Sequence, residues 1–157
     1  QFRGVATAVC KLLTITRPDR AYLGQKDAQQ SLVIKRLNAD LHLGADIVVC
    51  PTVREQDGLA LSSRNKYLSP AEREAAAVLY RSLKLAGDLG APDADEIRTR
   101  MRDLIGSEPL ATVEYVSVAD AETLEELDVI DRPTIVSVAV HIGATRLIDN
   151  ILIHSNG

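Results

Sequence analysis

The sequence predicts an α/β chain in two parts: the end of a parallel sheet over residues 1–51, then a small α+β domain over residues 52–157. Three observations carry this. Helical and strand patterns alternate up to Cys50, Pro51 marks a change of style, and helices followed by β-rich runs fill the remainder.

Each element has its own signal. Val5, Ala8, Val9, Leu12 and Leu13 recur at the helical spacing of a one-sided helix, and Pro18 ends it. Arg20 to Leu23 reads as a short strand and Gly24 as a turn. Asp27 to Asp40 reads as a helix with Asp27 as its cap. Asp46 to Cys50 is a short apolar run of the kind buried on both faces. Thr52 to Tyr67 is polar and without sustained period, so it is expected to be a loop or irregular connection. Ser69-Pro70-Ala71-Glu72 is a helix start: Ser69 as N-cap, Pro70 at the first position and Glu72 reaching back. That helix buries Ala75, Val78, Leu79, Leu83 and Ala86 and is expected to stop at Gly87. A second, from Asp93 to Ile105, places Ile97, Met101, Leu104 and Ile105 on one face. Val113 to Ala119 and Thr134 to Ile142 read as strands, and Arg146 to Ile153 as a third.

Composition removes some function classes. With 46% hydrophobic and 25% charged residues, the 157-residue chain falls in the globular range. The net charge of −4, with signs interleaved, argues against a nucleic-acid partner, which needs a clustered basic face. Apolar stretches such as Ile135 to Val140 are far shorter than the roughly 20 residues that cross a bilayer. Cys10 and Cys50 suggest ordinary buried thiols, neither a disulfide framework nor a thiolate metal site. A start without methionine and without a targeting segment reads as a piece of a longer cytoplasmic protein.

Two polar clusters stand at element ends. Gly24-Gln25-Lys26-Asp27-Ala28-Gln29-Gln30 joins a strand to a helix, where a helix N-terminus offers N–H groups and dipole potential to an anion. Gly24 allows close backbone approach and Lys26 adds positive charge. On residue types alone, a structural turn with Asp27 as cap is the stronger reading of this string. Asp57-Gly58-Leu59-Ala60-Leu61-Ser62-Ser63-Arg64-Asn65 could wrap triphosphate oxygens, with fork contacts from Arg64 and hydroxyl contacts from Ser62 and Ser63. A surface turn is the alternative, because Ser, Asn and Gly are common loop residues. His42, His141 and His154 lack metal-ligand spacing, no Gly-X-Ser-X-Gly elbow surrounds Ser62 or Ser63, and no P-loop is present. Phosphate binding without a Walker motif is what remains.

Six strings together resemble the pantothenate synthetase family. They are Phe2-Arg3-Gly4-Val5, Arg17-Pro18-Asp19, Gly24 to Asp27 with Gln29-Gln30, Pro51-Thr52-Val53-Arg54, Asp57 to Leu68, and Arg146-Leu147-Ile148-Asp149-Asn150. The resemblance spans the chain, and the Asp57 to Leu68 run is its most specific part. It implies a Rossmann-like nucleotidylyltransferase domain followed by a lid domain. It also implies a two-step reaction: pantoate and ATP, with Mg²⁺, give pantoyl adenylate and pyrophosphate, then β-alanine displaces AMP. By motif position, Gly24 and Asp27 meet the ribose side of ATP, Gln25 belongs to the same ATP-binding turn, and Lys26 meets the phosphates. Gln30 bonds pantoate and Val53 meets adenine through its backbone. Leu61, Ser62, Ser63 and Arg64 resemble the family's mobile phosphate loop, and Lys26 and Arg64 supply the catalytic charge. No metal ligand on the chain is implied, and the full-length enzyme is expected to be a homodimer.

The family's His-X-Gly-His signature is not in this sequence, so the chain by itself is expected to be an incomplete, inactive fragment. Gln1 stands where many relatives have His, and Gln25 where Glu is common. Two rivals share these features: a fragment of another adenylate-forming enzyme such as an aminoacyl-tRNA synthetase, and a non-catalytic nucleotide-binding or interaction domain. The acidic balance counts against the tRNA partner of the first.

Overall fold

A computed structural model describes residues 2–90 and 93–153, the Phe2 side chain excepted. Gln1 and His154, both named above, lie outside the described residues. The chain divides into two compact units, Gln1–Thr52 and Val53–Gly157.

In the first unit, α1 (Phe2–Thr16) packs against α2 (Ala28–Asp40), and α2 packs against β1 (Arg20–Gly24), which forms a parallel pair with β2 (Asp46–Cys50). The order of the first four elements is the expected one. Leu13 and Ile34 are its largest buried side chains. The apolar stripe of α1 is wider than the surface its own unit covers, since Leu12 is 59% exposed and Ile15 80%. Arg17 adopts a left-handed φ of +43° before Pro18, which ends the helix. Register is set from Arg20 opposite Asp46 to Gly24 opposite Cys50, so both strands finish at one edge. The Asp46 amide donates to the Asp19 carbonyl at 2.9 Å, and the Asn38 side-chain amide donates to the Ala45 carbonyl at 2.9 Å. These two bonds tie the start of β2 to the neighbouring chain segments.

Several expectations change here. Gly24 is the last residue of β1, with extended torsions (φ −84°, ψ 133°), and the turn is a 3-10 segment, Gln25–Asp27. Asp27 occupies the N-cap position of α2, but its side chain makes no capping hydrogen bond. Continuing the 3-10 turn directly into α2 replaces a side-chain cap with backbone geometry. β2, with Cys50 at its end, is only partly buried because a two-stranded sheet cannot cover every residue, and Cys10 in α1 is half-buried as well.

The second unit packs α3 (Pro70–Ala75), α4 (Val78–Leu89) and α5 (Ala94–Gly106) with an antiparallel sheet of order β3 (Ala111–Asp120), β4 (Thr134–Ile142), β5 (Thr145–Ile153). Alternate residues of β4, Val136, Val138, Val140 and Ile142, join Leu79, Leu83, Ile97, Met101 and Ile105 in one core. Each such fully buried side chain is worth roughly 1.5–3 kcal/mol relative to exposure. The Ser69 capping box forms as read: its hydroxyl accepts from the Glu72 amide at 3.3 Å while Glu72 accepts from the Ser69 amide at 2.8 Å. Asp93 caps α5 by accepting from the Asp95 and Glu96 amides.

The single helix expected from Ser69 to Gly87 is two helices. Between them the ladder tightens, with Ala77 donating to Glu74 and Leu79 to Ala76, three residues back in each case. Gly87 does not stop α4, which runs on to Leu89 and ends on Gly90 in the left-handed conformation (φ +54°). The third strand forms, and a bulge in β3 between Val113 and Tyr115 leaves Glu114 out of the pairing.

Candidate functional site

The first polar cluster sits where both parallel strands end. Gly24 is opposite Cys50, the chain turns through Gln25, Lys26 and Asp27, and α2 begins at Ala28. Gln25, Lys26 and Gln30 are half-buried and Asp27 is exposed. Ser31, buried beneath the turn, donates its hydroxyl to the Gly24 carbonyl at 3.4 Å. A Cβ added at Gly24 would meet nothing within 4 Å, so local packing does not require glycine here. Since the Asp27 carboxylate caps nothing, it remains available for other partners, and the helix start keeps its positive dipole end.

The second cluster lies, up to Ser62, in a connection without regular helix or strand, as expected, but that connection is locally ordered. Residues 53–61 form a tight hairpin: Arg54 pairs with Ala60, the Leu61 amide donates to the Val53 carbonyl at 2.9 Å, and the Glu55 amide donates to the Leu59 carbonyl at 2.9 Å. Gly58 turns it, with φ +90°, and a Cβ there would lie 1.8 Å from Tyr80 Cδ1. At this position glycine is required by both torsion and space.

Two arginines fix this hairpin. Arg54 donates to both carboxylate oxygens of Asp149 at 2.6 and 3.0 Å and to the carbonyls of Gly58 and Asn150, and its guanidinium lies 4.5 Å from the Tyr80 ring centroid. Arg73 donates to both oxygens of Asp57 at 2.6 and 3.0 Å and to Glu55 at 2.8 Å. The Arg73 hydrogen bonds hold the Asp57 carboxyl below its ordinary range.

Beyond the hairpin, Ser62 accepts from the Arg64 amide at 3.2 Å and starts a 3-10 turn, Ser63–Tyr67. A serine hydroxyl that accepts one bond still carries a proton to donate. Leu61, Ser63 and Arg64 are exposed, and one Arg64 nitrogen donates to the Arg146 carbonyl at 3.3 Å. The side chain of Arg146 is itself held by Glu114 at 2.7 and 3.0 Å, and this bond lowers the Glu114 pKa. Thus Val53 is brought together with Leu61, Ser62, Ser63 and Arg64 in one unit, and Gly24, Gln25, Lys26, Asp27 and Gln30 in the other. Of the histidines, His141 meets Glu114 at 3.2 Å and His42 takes a left-handed φ of +49° at the exit of α2. Among the described residues no group of three His, Cys, Asp or Glu side chains could hold a metal ion.

Arg54, Asp149, Arg73 and Tyr80 carry no sequence signal that marks them as parts of this site. Arg54 and Asp149 both stand in strings of the family resemblance, yet the two residues are 95 positions apart and no local pattern links them.

The fold and these clusters define a mixed α/β protein with a parallel strand–turn–helix unit and a small antiparallel unit carrying an arginine-anchored hydroxyl loop. A profile of the pantoate-beta-alanine ligase family matches residues 1–152, and the chain belongs to that family. It is 55% identical to the pantothenate synthetase of Roseiflexus sp. (strain RS-1) over 157 residues, covering 98% of this chain and 56% of the relative. The Dehalococcoides mccartyi (strain CBDB1) pantothenate synthetase is 54% identical, with 97% and 58% covered. Pantothenate synthetase from Thermus thermophilus superposes with a TM-score of 0.90 at 40% identity, covering 94% of this chain and 54% of that one. The Francisella tularensis pantoate-beta-alanine ligase, solved in complex with beta-gamma ATP and beta-alanine, gives 0.69 at 34% identity, with 95% and 49% covered. The chain therefore spans about half the length of the relatives it matches. No described helix is long and apolar enough to cross a membrane.

Proposed function

We propose that the complete protein joins pantoate to β-alanine at the expense of ATP. A pantoate carboxylate oxygen attacks the α-phosphorus, the bond to the bridging oxygen breaks, and pyrophosphate leaves pantoyl adenylate. The β-alanine amine then attacks the acyl carbon, loses a proton, and AMP departs. The observation that carries this reading is the family match over residues 1–152, which includes both polar clusters.

Adenylyl transfer asks the protein for positioning and charge stabilisation more than for covalent chemistry. On this reading Lys26 neutralises charge on the phosphates, Gly24, Gln25 and Asp27 bind the nucleotide at its ribose side, and Gln30 hydrogen-bonds pantoate. Val53 offers backbone to adenine, and one lone pair of its carbonyl is already engaged by Leu61. Leu61, Ser62, Ser63 and Arg64 serve the β and γ phosphates, with residues 52–157 as the small lid domain and residues 1–51 as part of the nucleotide-binding domain. Mg²⁺ enters as part of the ATP substrate, and no ligand to it is assigned on this chain. Support for ATP and β-alanine as substrates comes from the Francisella tularensis relative, solved with beta-gamma ATP and beta-alanine. The placement in the cytoplasm rests on the sequence reading, and the homodimeric state on family resemblance.

The test is AMP release from the full-length protein, requiring both pantoate and β-alanine, measured beside this chain alone. Activity confined to the full-length protein fits the reading. ATP binding without AMP release in either would favour a non-catalytic nucleotide-binding domain.

A further inference from the structure

We propose that Arg54, locked by Asp149, is a positioning residue for ATP. Its guanidinium holds the Val53–Leu61 backbone pair and the adjoining Ser62–Arg64 loop in one arrangement before the nucleotide arrives. The inference rests on the reading of Val53, Ser62, Ser63 and Arg64 as nucleotide-binding.

Four acceptors converge on this one guanidinium: both Asp149 oxygens, the Gly58 carbonyl at 3.0 Å and the Asn150 carbonyl at 3.4 Å. The Asp149 side chain is 1% exposed and that of Arg54 19%, so water competes little for the pair. Asp149 is oriented in turn, because the Asn150 amide donates to its Oδ1 at 2.8 Å. A planar fork on a preoriented carboxylate fixes direction as well as distance. The guanidinium carbon also lies over the Tyr80 ring, 4.5 Å from its centroid, a cation–π contact that adds a further restraint.

The clamp holds the base of the hairpin and reaches the Gly58 carbonyl at its turn. Arg54 pairs with Ala60, and the next bond outward is the one from Leu61 to the Val53 carbonyl. The backbone assigned to adenine is therefore one residue from Arg54, and Ser62 is two residues from Ala60. The far end of the hairpin has a separate anchor in Arg73, which holds Asp57 and Glu55. Weakening the Arg54 clamp removes its bond to Gly58 at the tip as well, but the Arg73 bonds to Asp57 and Glu55 remain there, so the larger shift is expected at the base, which moves nucleotide groups without dismantling the unit.

The test uses the full-length protein with two variants, Arg54→Lys and the double change Arg54→Met with Asp149→Leu. Lysine keeps the charge but loses the fork, and the apolar pair removes the buried charges together, which often leaves stability intact. ATP Kd by calorimetry, KM for ATP and for pantoate, and Tm are measured for each. Both variants are expected to raise the ATP Kd and KM by about tenfold or more, as misplacement of positioning groups does, with pantoate KM unchanged. For the double variant this holds even at wild-type Tm. A stable double variant with wild-type ATP Kd, or a loss of Vmax with both KM values unchanged, overturns the proposal. Wild-type protein that binds ATP without making AMP from pantoate and β-alanine sinks the ligase reading and leaves the Kd comparison to decide this one; wild-type protein that binds no ATP overturns both.

Discussion

Arg73 grips Asp57 with two nitrogens, at 2.6 and 3.0 Å, and thereby joins the last turn of α3 to the tip of the 53–61 hairpin. The Asp57 carboxylate is held below its ordinary pKa chiefly by these hydrogen bonds. A depressed carboxylate pKa contributes stability that is present above the unfolded value, roughly 3.9 for Asp, and is lost as pH falls through the folded value below it. Asp57→Asn is therefore expected to flatten the acid limb of the stability curve below about pH 4. Near neutrality it should cost only about 0.2–1 kcal/mol, because the pair is partly solvated. Urea unfolding at neutral and acid pH measures both, and an unchanged acid limb would remove Asp57 from the account.

Gly58→Ala should be far more severe. The residue sits at φ +90° with the Tyr80 ring where a Cβ would go. Left-handed strain of about 1–2 kcal/mol and overpacking of about 1–3 kcal/mol add together. Pairing it with Tyr80→Ala in a double-mutant cycle should recover the second contribution and keep the first. Full additivity of the two changes would mean that the ring is not what excludes the side chain.

Ser69→Ala removes one half of a reciprocal capping box whose other half is the Glu72 carboxylate. The loss expected is about 1 kcal/mol, the usual worth of a serine N-cap. Thermal unfolding would register it, and Glu72→Gln, which can still accept from the Ser69 amide, should cost less.

What could be read from the sequence follows the range of the interaction concerned. The capping box, the β-rich run that becomes β4 and the helix beginning near Asp93 are local, and each was legible from a few neighbouring residues. The break at Ala76–Ala77 was not, since alanine is the best helix former and only tertiary packing distinguishes those positions. Gly87 misled for the opposite reason: a helix backed by a core tolerates an exposed glycine, and the left-handed residue that ends it is Gly90. At the clusters, the chain positions of Gly24 to Gln30 and of Ser62 to Arg64 were visible as polar strings at element ends. Their supports were not, because Arg54 finds Asp149 across 95 residues and Glu114 reaches Arg146 through a bulge that no propensity announces.

Lys26 and Gln30 lie on one turn and one helix start, yet the proposed chemistry separates them. In the proposed reaction Lys26 would act on charge that grows as pyrophosphate departs, so Lys26→Ala in the full-length protein is expected to slow adenylation by roughly 10²-fold or more. On the same proposal Gln30 contacts the ground-state acid, so Gln30→Ala should weaken pantoate binding more than ATP binding. Single-turnover formation of pyrophosphate gives the first, and separate titrations with pantoate and ATP give the second. Near-normal turnover in Lys26→Ala would remove its stabilising role, and an ATP-selective defect in Gln30→Ala would reassign that side chain to the nucleotide. The two outcomes are independent, because a residue that binds the substrate and its transition state equally well changes KM alone, while one that meets charge only at the transition state changes kcat.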